Sequence, residues 1–158
     1  MLILGIDPGT TRIGFAVIEK NGSTLSAIEY GILKTKAEDK SLAYGSISDQ
    51  IATLIDKNKP SLVAIEKIFF FKNHKTVIAV SEARGVIMLA LSKAGVPIYE
   101  FTPLKVKQAV SGYGRAGKDQ VQRMVKLILG IKDKIQPDDA ADALAIAICC
   151  ANSYTPFK

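Results

Sequence analysis

The sequence predicts an α/β domain built on a mixed five-stranded sheet flanked by helices, three antiparallel strands first and parallel crossovers after. Three observations carry that prediction. Short runs rich in aliphatic and β-branched residues recur along the chain. The first two connections are tight and Gly-rich. From about residue 40 onward, runs with helical apolar spacing alternate with strand runs, the pattern expected of crossover connections.

The elements follow in order. Leu2, Leu4 and Ile6 alternate with Ile3, Gly5 and Asp7, a short strand ending on the acid. After "PGTT", "IGFAVIEK" is a second strand, "NGS" at 21–23 is a hairpin turn, and "TLSAIEYGILKT" is the returning strand. Leu42, Ile47, Ile51, Leu54 and Ile55 keep helical spacing between about Lys40 and Lys57. A helix breaker at Pro60 precedes a buried strand, Leu62 to Glu66. A long helix is expected from about Val77 to Lys93, ended by Gly95-Val96-Pro97, and "PIYEF" is the fifth strand. Thr102-Pro103 has the form of an N-cap with proline at the first helical position. The Gly-rich basic loop "SGYGRAGK" then leads into a helix over residues 118 to 129. An Ala-rich helix closes the series from Pro137-Asp138-Asp139 to about Cys150.

The chain has 158 residues, 48% hydrophobic and 23% charged, within the range of one well-buried domain and outside that of disordered chains. No linker, repeat or low-complexity stretch divides it, so residues 1–158 are expected to form a single domain. Net charge is +6 with a pI near 9.3, which favours a polyanionic partner such as nucleic acid. Cys149 and Cys150 are adjacent in an apolar helical run, where they are poorly placed to pair and read as reduced thiols. With no secretory signal pattern and no bilayer-length apolar run, the expected location is the cytoplasm, away from the membrane.

The candidate chemistry lies in the acids. Asp7 ends the first strand and Glu66 the fourth, so adjacent parallel placement of those strands brings both carboxylates to one sheet edge. "DDAADALA" adds more acid at a helix start, where Asp142 shares a face with both Asp139 and Asp138. Spacing does not choose between those two. Each acid also has a bland role: a cap for Asp138, a dipole-favoured first-turn acid for Asp139. Glu66 and Asp142 are harder to explain that way, because each interrupts an apolar run. Carboxylates gathered in a basic protein suit hard divalent cations, and two such ions can hold and hydrolyse a phosphodiester.

An actin-like ATPase also begins with a loop like "GIDPGTT", but it needs two lobes and a second phosphate loop, and the chain has one such loop and no GxxxxGK[ST] motif.

Taken together, "ILGIDPGTTRIGFAVIE", "AIEKIFFFKNHKTVIAVSEARGVIM", "PLKVKQAVSGYGRAGKDQVQRMV" and "QPDDAADALAIAIC" resemble the RuvC family of Holliday junction resolvases, over nearly the whole chain. The resemblance implies an RNase H-like fold and a Mg²⁺-dependent endonuclease that nicks four-way DNA junctions symmetrically. Two ions per site are implied, with Mn²⁺ as a possible substitute. It assigns the catalytic and metal-binding acids to Asp7, Glu66, Asp139 and Asp142 and leaves Asp138 as a cap. It gives Lys107 and Lys118 roles near the scissile phosphate, places Lys105 and Arg115 on the DNA-binding surface, and makes Phe69 an aromatic that stacks on an unpaired base. Phe70 and Phe71 are divided between that role and the core, and His74 is expected in the loop. The family also implies a homodimer and cooperation with the RuvA–RuvB branch-migration complex. The helix from Val77 to Lys93, apolar on nearly every side, fits the dimer expectation. Two rivals stand beside this reading: a YqgF-type nuclease of the same fold acting on RNA, and a junction-binding protein without catalysis.

Overall fold

The computed structural model describes residues 1–35, 39–67 and 74–154. The elements run β1 (Leu2–Asp7), β2 (Arg12–Asn21), β3 (Thr24–Lys34), α1 (Lys40–Asn58), β4 (Leu62–Glu66), α2 (His74–Lys93), β5 (Ile98–Phe101), α3 (Pro103–Ser111), α4 (Lys118–Leu129) and α5 (Asp138–Ser153). The sheet order is β3-β2-β1-β4-β5. Strands β1 to β3 are antiparallel neighbours, while β1 pairs parallel with β4 and β4 with β5. The hairpin turns at Gly22, whose φ of 61° is in the left-handed region that glycine tolerates.

Two cores form because strand side chains alternate between faces. Leu4, Ile6, Ile13, Phe15, Val17, Val63 and Ile65 pack under α1 and α2. Ile3, Ala16, Ile18, Leu62 and Ala64 pack under α3, α4 and α5. Helix α5 is buried along nearly its whole length, from Ala140 to Ala151 apart from Asp142, which explains a sequence apolar on every side. Cys149 and Cys150 sit there as buried free thiols, and burial pushes the Cys150 thiol up to about 12.

Small residues let α5 approach closely. A Cβ on Gly5 would fall 2.3 Å from the Ala143 carbonyl oxygen, and one on Gly14 would fall 2.0 Å from that of Asp139. The glycines of "GIDPGTTRIG" therefore do more than shape a turn. Gly9 does that, whereas Gly5 and Gly14 lie within strands and bring the acidic end of α5 against Asp7.

Two local expectations are corrected. Asp138 does not cap α5: Pro137 holds the N-cap position without a side-chain bond, and Asp138 lies in the first turn. Helix α2 begins at His74, about one turn before Val77, so His74 belongs to the helix rather than the preceding loop. Leu42 keeps the helical spacing of α1 as expected and is 68% exposed, the buried positions of that helix being Ile47, Ile51, Leu54 and Ile55. The Thr102 cap holds as predicted, its side chain accepting from the Lys105 N–H at 3.2 Å.

Candidate active site

The parallel pairing of β1 with β4 puts Asp7 and Glu66 at neighbouring carboxyl-terminal strand ends. The end of β4 is further tied by the Lys67 N–H donating to the Phe101 carbonyl at 2.8 Å. Arg84 of α2 donates to the Glu66 carbonyl at 3.4 Å and also pairs with Glu100. Helix α5 adds Asp139 and Asp142, and α3 and α4 contribute Lys107 and Lys118.

Asp7, Glu66, Asp142, Lys107 and Lys118 line one cleft of about 250 Å³, with Pro103, Val106, Val121 and Ala145 as its apolar wall. Asp139 lines the adjoining cleft, with Arg12, Lys34 and Asp138, and Lys118 borders both. The structure thus brings together five of the six predicted catalytic side chains in one cavity and the sixth beside it. Lys105 is on the exposed face of α3, its ammonium 5.1 Å from the centre of the Phe101 ring. Arg115 is exposed in the loop before α4. Phe69, Phe70 and Phe71 lie outside the described residues.

Charge is distributed unevenly. Burial, then the Glu66, Asp142 and Asp139 carboxylates, push the Asp7 carboxyl up to about 8 against the pull of Lys118. Glu66 rises to about 7 through burial and Asp142, opposed by Lys107. Asp142 is also raised, chiefly by burial, although the Lys118 ammonium 3.3 Å away opposes the shift. Burial draws the Lys118 ammonium down, but Asp142 and Asp138 outweigh it and hold it above its ordinary value. Asp138 is lowered by its bond from Gln122 and its 3.2 Å pair with Lys118.

Crowded acids short of cations fit hard divalent ions, whose preferred donors are carboxylate oxygens. Among the described residues no three His, Cys, Asp or Glu side chains are gathered closely enough to hold a metal ion between them. Arg12 escaped the sequence reading, although it directly follows the first motif; its guanidinium is 3.8 Å from Asp139.

A mixed sheet with acids at the ends of its central parallel pair, and more acids on the helix crossing them, defines an RNase H-like nuclease fold. The yeast mitochondrial Holliday junction resolvase Ydc2 shares this fold at a TM-score of 0.66 and 14% identity, over 95% of the chain and 78% of Ydc2. The family model described as crossover junction endodeoxyribonuclease RuvC matches residues 3–150. The chain belongs to the RuvC family. It is 52% identical to the RuvC crossover junction endodeoxyribonuclease of Petrotoga mobilis, covering 100% of the chain and 98% of the relative. Against that of Moorella thermoacetica the identity is 49%, over 100% and 95%. The structure of Thermus thermophilus RuvC in complex with a Holliday junction substrate superposes with a TM-score of 0.89 at 35% identity, covering 96% of the chain and 93% of that protein.

Proposed function

We propose that this protein is a four-way-junction resolvase of the cytoplasm, its residues 1–158 working as one nuclease domain that cuts symmetric strands to leave 5′-phosphate and 3′-hydroxyl ends. The observation that carries the reading is the cleft itself: Asp7, Glu66 and Asp142 facing Lys107 and Lys118. Two half-buried carboxyls held above their ordinary values in one cleft support catalysis over binding alone.

Asp7, Glu66, Asp139 and Asp142 are the side chains that would hold Mg²⁺, two ions in the full site, with Mn²⁺ as a substitute. Such ions, when bound, activate water and neutralise charge at the leaving oxygen. Lys118 leaves its pairs with Asp138 and Asp142 to meet charge developing on the phosphorus oxygens, and Lys107 supports it from α3. The apolar wall limits water around the reacting phosphate. Lys105 and Arg115, with Lys107 and Lys118, bind backbone phosphates. Phe69 stacks on an unpaired base, a role resting on its place in the "AIEKIFFFKNHKT" motif.

The symmetric cut calls for a homodimer. Helix α2 supports one: Ile78 and Leu89 are exposed at 65% and 57%, and Gly85 lies open between them. Handover from a RuvA–RuvB branch-migration complex completes the reading. Among the described residues no helix is long and apolar enough to cross a membrane.

The test is cleavage of synthetic four-way junctions, linear duplex and RNA–DNA hybrid, with and without Mg²⁺. Paired nicks confined to the junction and dependent on Mg²⁺ are expected. Preference for RNA-containing substrates would overturn the reading in favour of an RNA-directed nuclease.

A further inference from the structure

Arg12 and Lys34 are directly opposite each other in the antiparallel β2–β3 pair. Both line the second cleft, with Ile32, Gln136, Pro137, Asp138 and Asp139. Like charges facing across a ladder repel and destabilise the sheet, so an unrelieved cationic pair there marks a place where an anion belongs. Relief within the protein is partial. Arg12 is 3.8 Å from Asp139 and 58% exposed, and Lys34 makes no ion pair among the described residues.

The pair is also firmly mounted. The Thr35 N–H donates to the Thr11 carbonyl at 3.2 Å, and the Thr35 hydroxyl donates to the Thr10 carbonyl at 3.2 Å. The end of β3 is thereby stitched to the turn that follows Asp7. Gln50 of α1 donates to the Lys34 carbonyl at 3.3 Å. Lys118 borders this cleft and the acidic one alike. An extended polyanion lying across Lys118 therefore enters both.

We propose that Arg12 and Lys34 form a phosphate-binding subsite for the cut DNA strand, holding a backbone phosphate next to the scissile one. The subsite rests on the nuclease reading and extends it: the scissile linkage lies at the Asp7 cleft, and the same strand continues over Lys118 to the β2–β3 edge. Arg12 has two anionic partners in this arrangement, Asp139 in the free protein and the phosphate in the complex.

The test uses the full chain carrying Asp7→Asn, with junction binding followed by fluorescence anisotropy between 50 and 200 mM salt. Arg12→Ala and Lys34→Ala should each weaken binding about 5- to 10-fold and flatten the salt slope by about one. Lys34→Arg should restore both, while Lys59→Ala, a lysine paired with Asp56 on the far end of α1, should change neither. A neutral methylphosphonate is then scanned over the three linkages on either side of the cut. At one of them it should weaken binding of the parent protein yet add nothing to Lys34→Ala. Unchanged affinity and slope in both alanine variants would overturn the subsite. So would methylphosphonate effects that add fully to Lys34→Ala at every linkage, or an Arg12→Ala change that abolishes cleavage when Asp7 is intact yet leaves the salt slope of the Asp7→Asn protein normal, which makes Arg12 only a support for Asp139. If the Asp7→Asn protein prefers no junction over duplex, the resolvase reading fails instead, and the two failures are distinct. Thermal unfolding guards against misfolding: removing one member of a repelling pair should leave Tm unchanged or raised.

Discussion

The acids carried by strands and those carried by the helix differ in the positive charge that stands beside them. Asp7 and Glu66 stand on adjacent β1 and β4, half-buried, with carboxyls raised to about 8 and 7. Asp138, Asp139 and Asp142 stand on α5 beside cations the protein itself provides, Lys118 and Arg12. The sheet thus supplies a pair of acids with little positive charge beside them, and the helix acids that lie near Lys118 and Arg12, although burial raises Asp142 as well. On the proposed function, incoming cations would gain most at the strand pair and would compete with Lys118 and Arg12 at the helix. On the proposed function, that difference would let Lys118 hold acids before substrate arrives and face the phosphate afterwards.

The sharpest way to break the comparison is Asp7→Asn. Cleavage should fall by roughly three orders of magnitude, the upper scale for loss of one preorganised electrostatic group at a reacting centre. Junction affinity should hold, because it comes mainly from Lys and Arg contacts. Single-turnover cleavage and anisotropy separate the two, and a normal nicking rate would remove Asp7 from the metal site. Lys118→Ala comes next, at about 100-fold in single-turnover rate. A loss confined to binding would return Lys118 to a simple phosphate contact.

Gly14→Ala tests how the two sets of acids are brought together. Its Cβ would lie 2.0 Å from the Asp139 carbonyl oxygen, so α5 must shift. A stability loss of about 1–3 kcal/mol by urea titration is expected from overpacking of this kind, with activity falling further than stability alone explains. Full activity would show that the close approach of α5 is not needed.

The strand pair also predicts a pH dependence for metal-free protein. An acid whose folded pKa exceeds its unfolded value contributes full relative stability below the unfolded value. That stability is lost as pH climbs through the folded one. For Asp7 and Glu66 the window opens at their ordinary values of 3.8 and 4.5 and closes near 8 and 7. Tm of Asp7→Asn should therefore exceed that of the parent at pH 8 by several degrees, about 2–4 °C per kcal/mol for a chain this size. The gap should close toward pH 4, and Mg²⁺ should raise the parent more than the variant. The smallest effect is expected at Asp138→Asn, whose exposed pair with Lys118 is screened by solvent: activity within about threefold of the parent. A large loss would move Asp138 into the metal site.

Much of this was legible because it is local. The strand ending at Asp7, the hairpin at Asn21-Gly22, the Thr102-Pro103 helix start and the strand ending at Glu66 follow from patterns a few residues long. The Asp138 cap failed for the same reason. Cap preference is a local rule, and here Gln122 and Lys118, from another helix, take its side chain. Arg12 was missed because its significance depends on Lys34 across the hairpin and Asp139 far along the chain.

By itself the sequence determined the element order, the α/β class, the basic charge and, through its motifs, which acids to propose for the site. Tertiary structure alone decided how those acids differ. Gly5 and Gly14 let α5 descend onto β1 and β2, burial raised Asp7 and Glu66, and Lys118 came to border both clefts. Desolvation and charge pairing depend on distances between residues remote in the chain, and a linear pattern does not encode those distances.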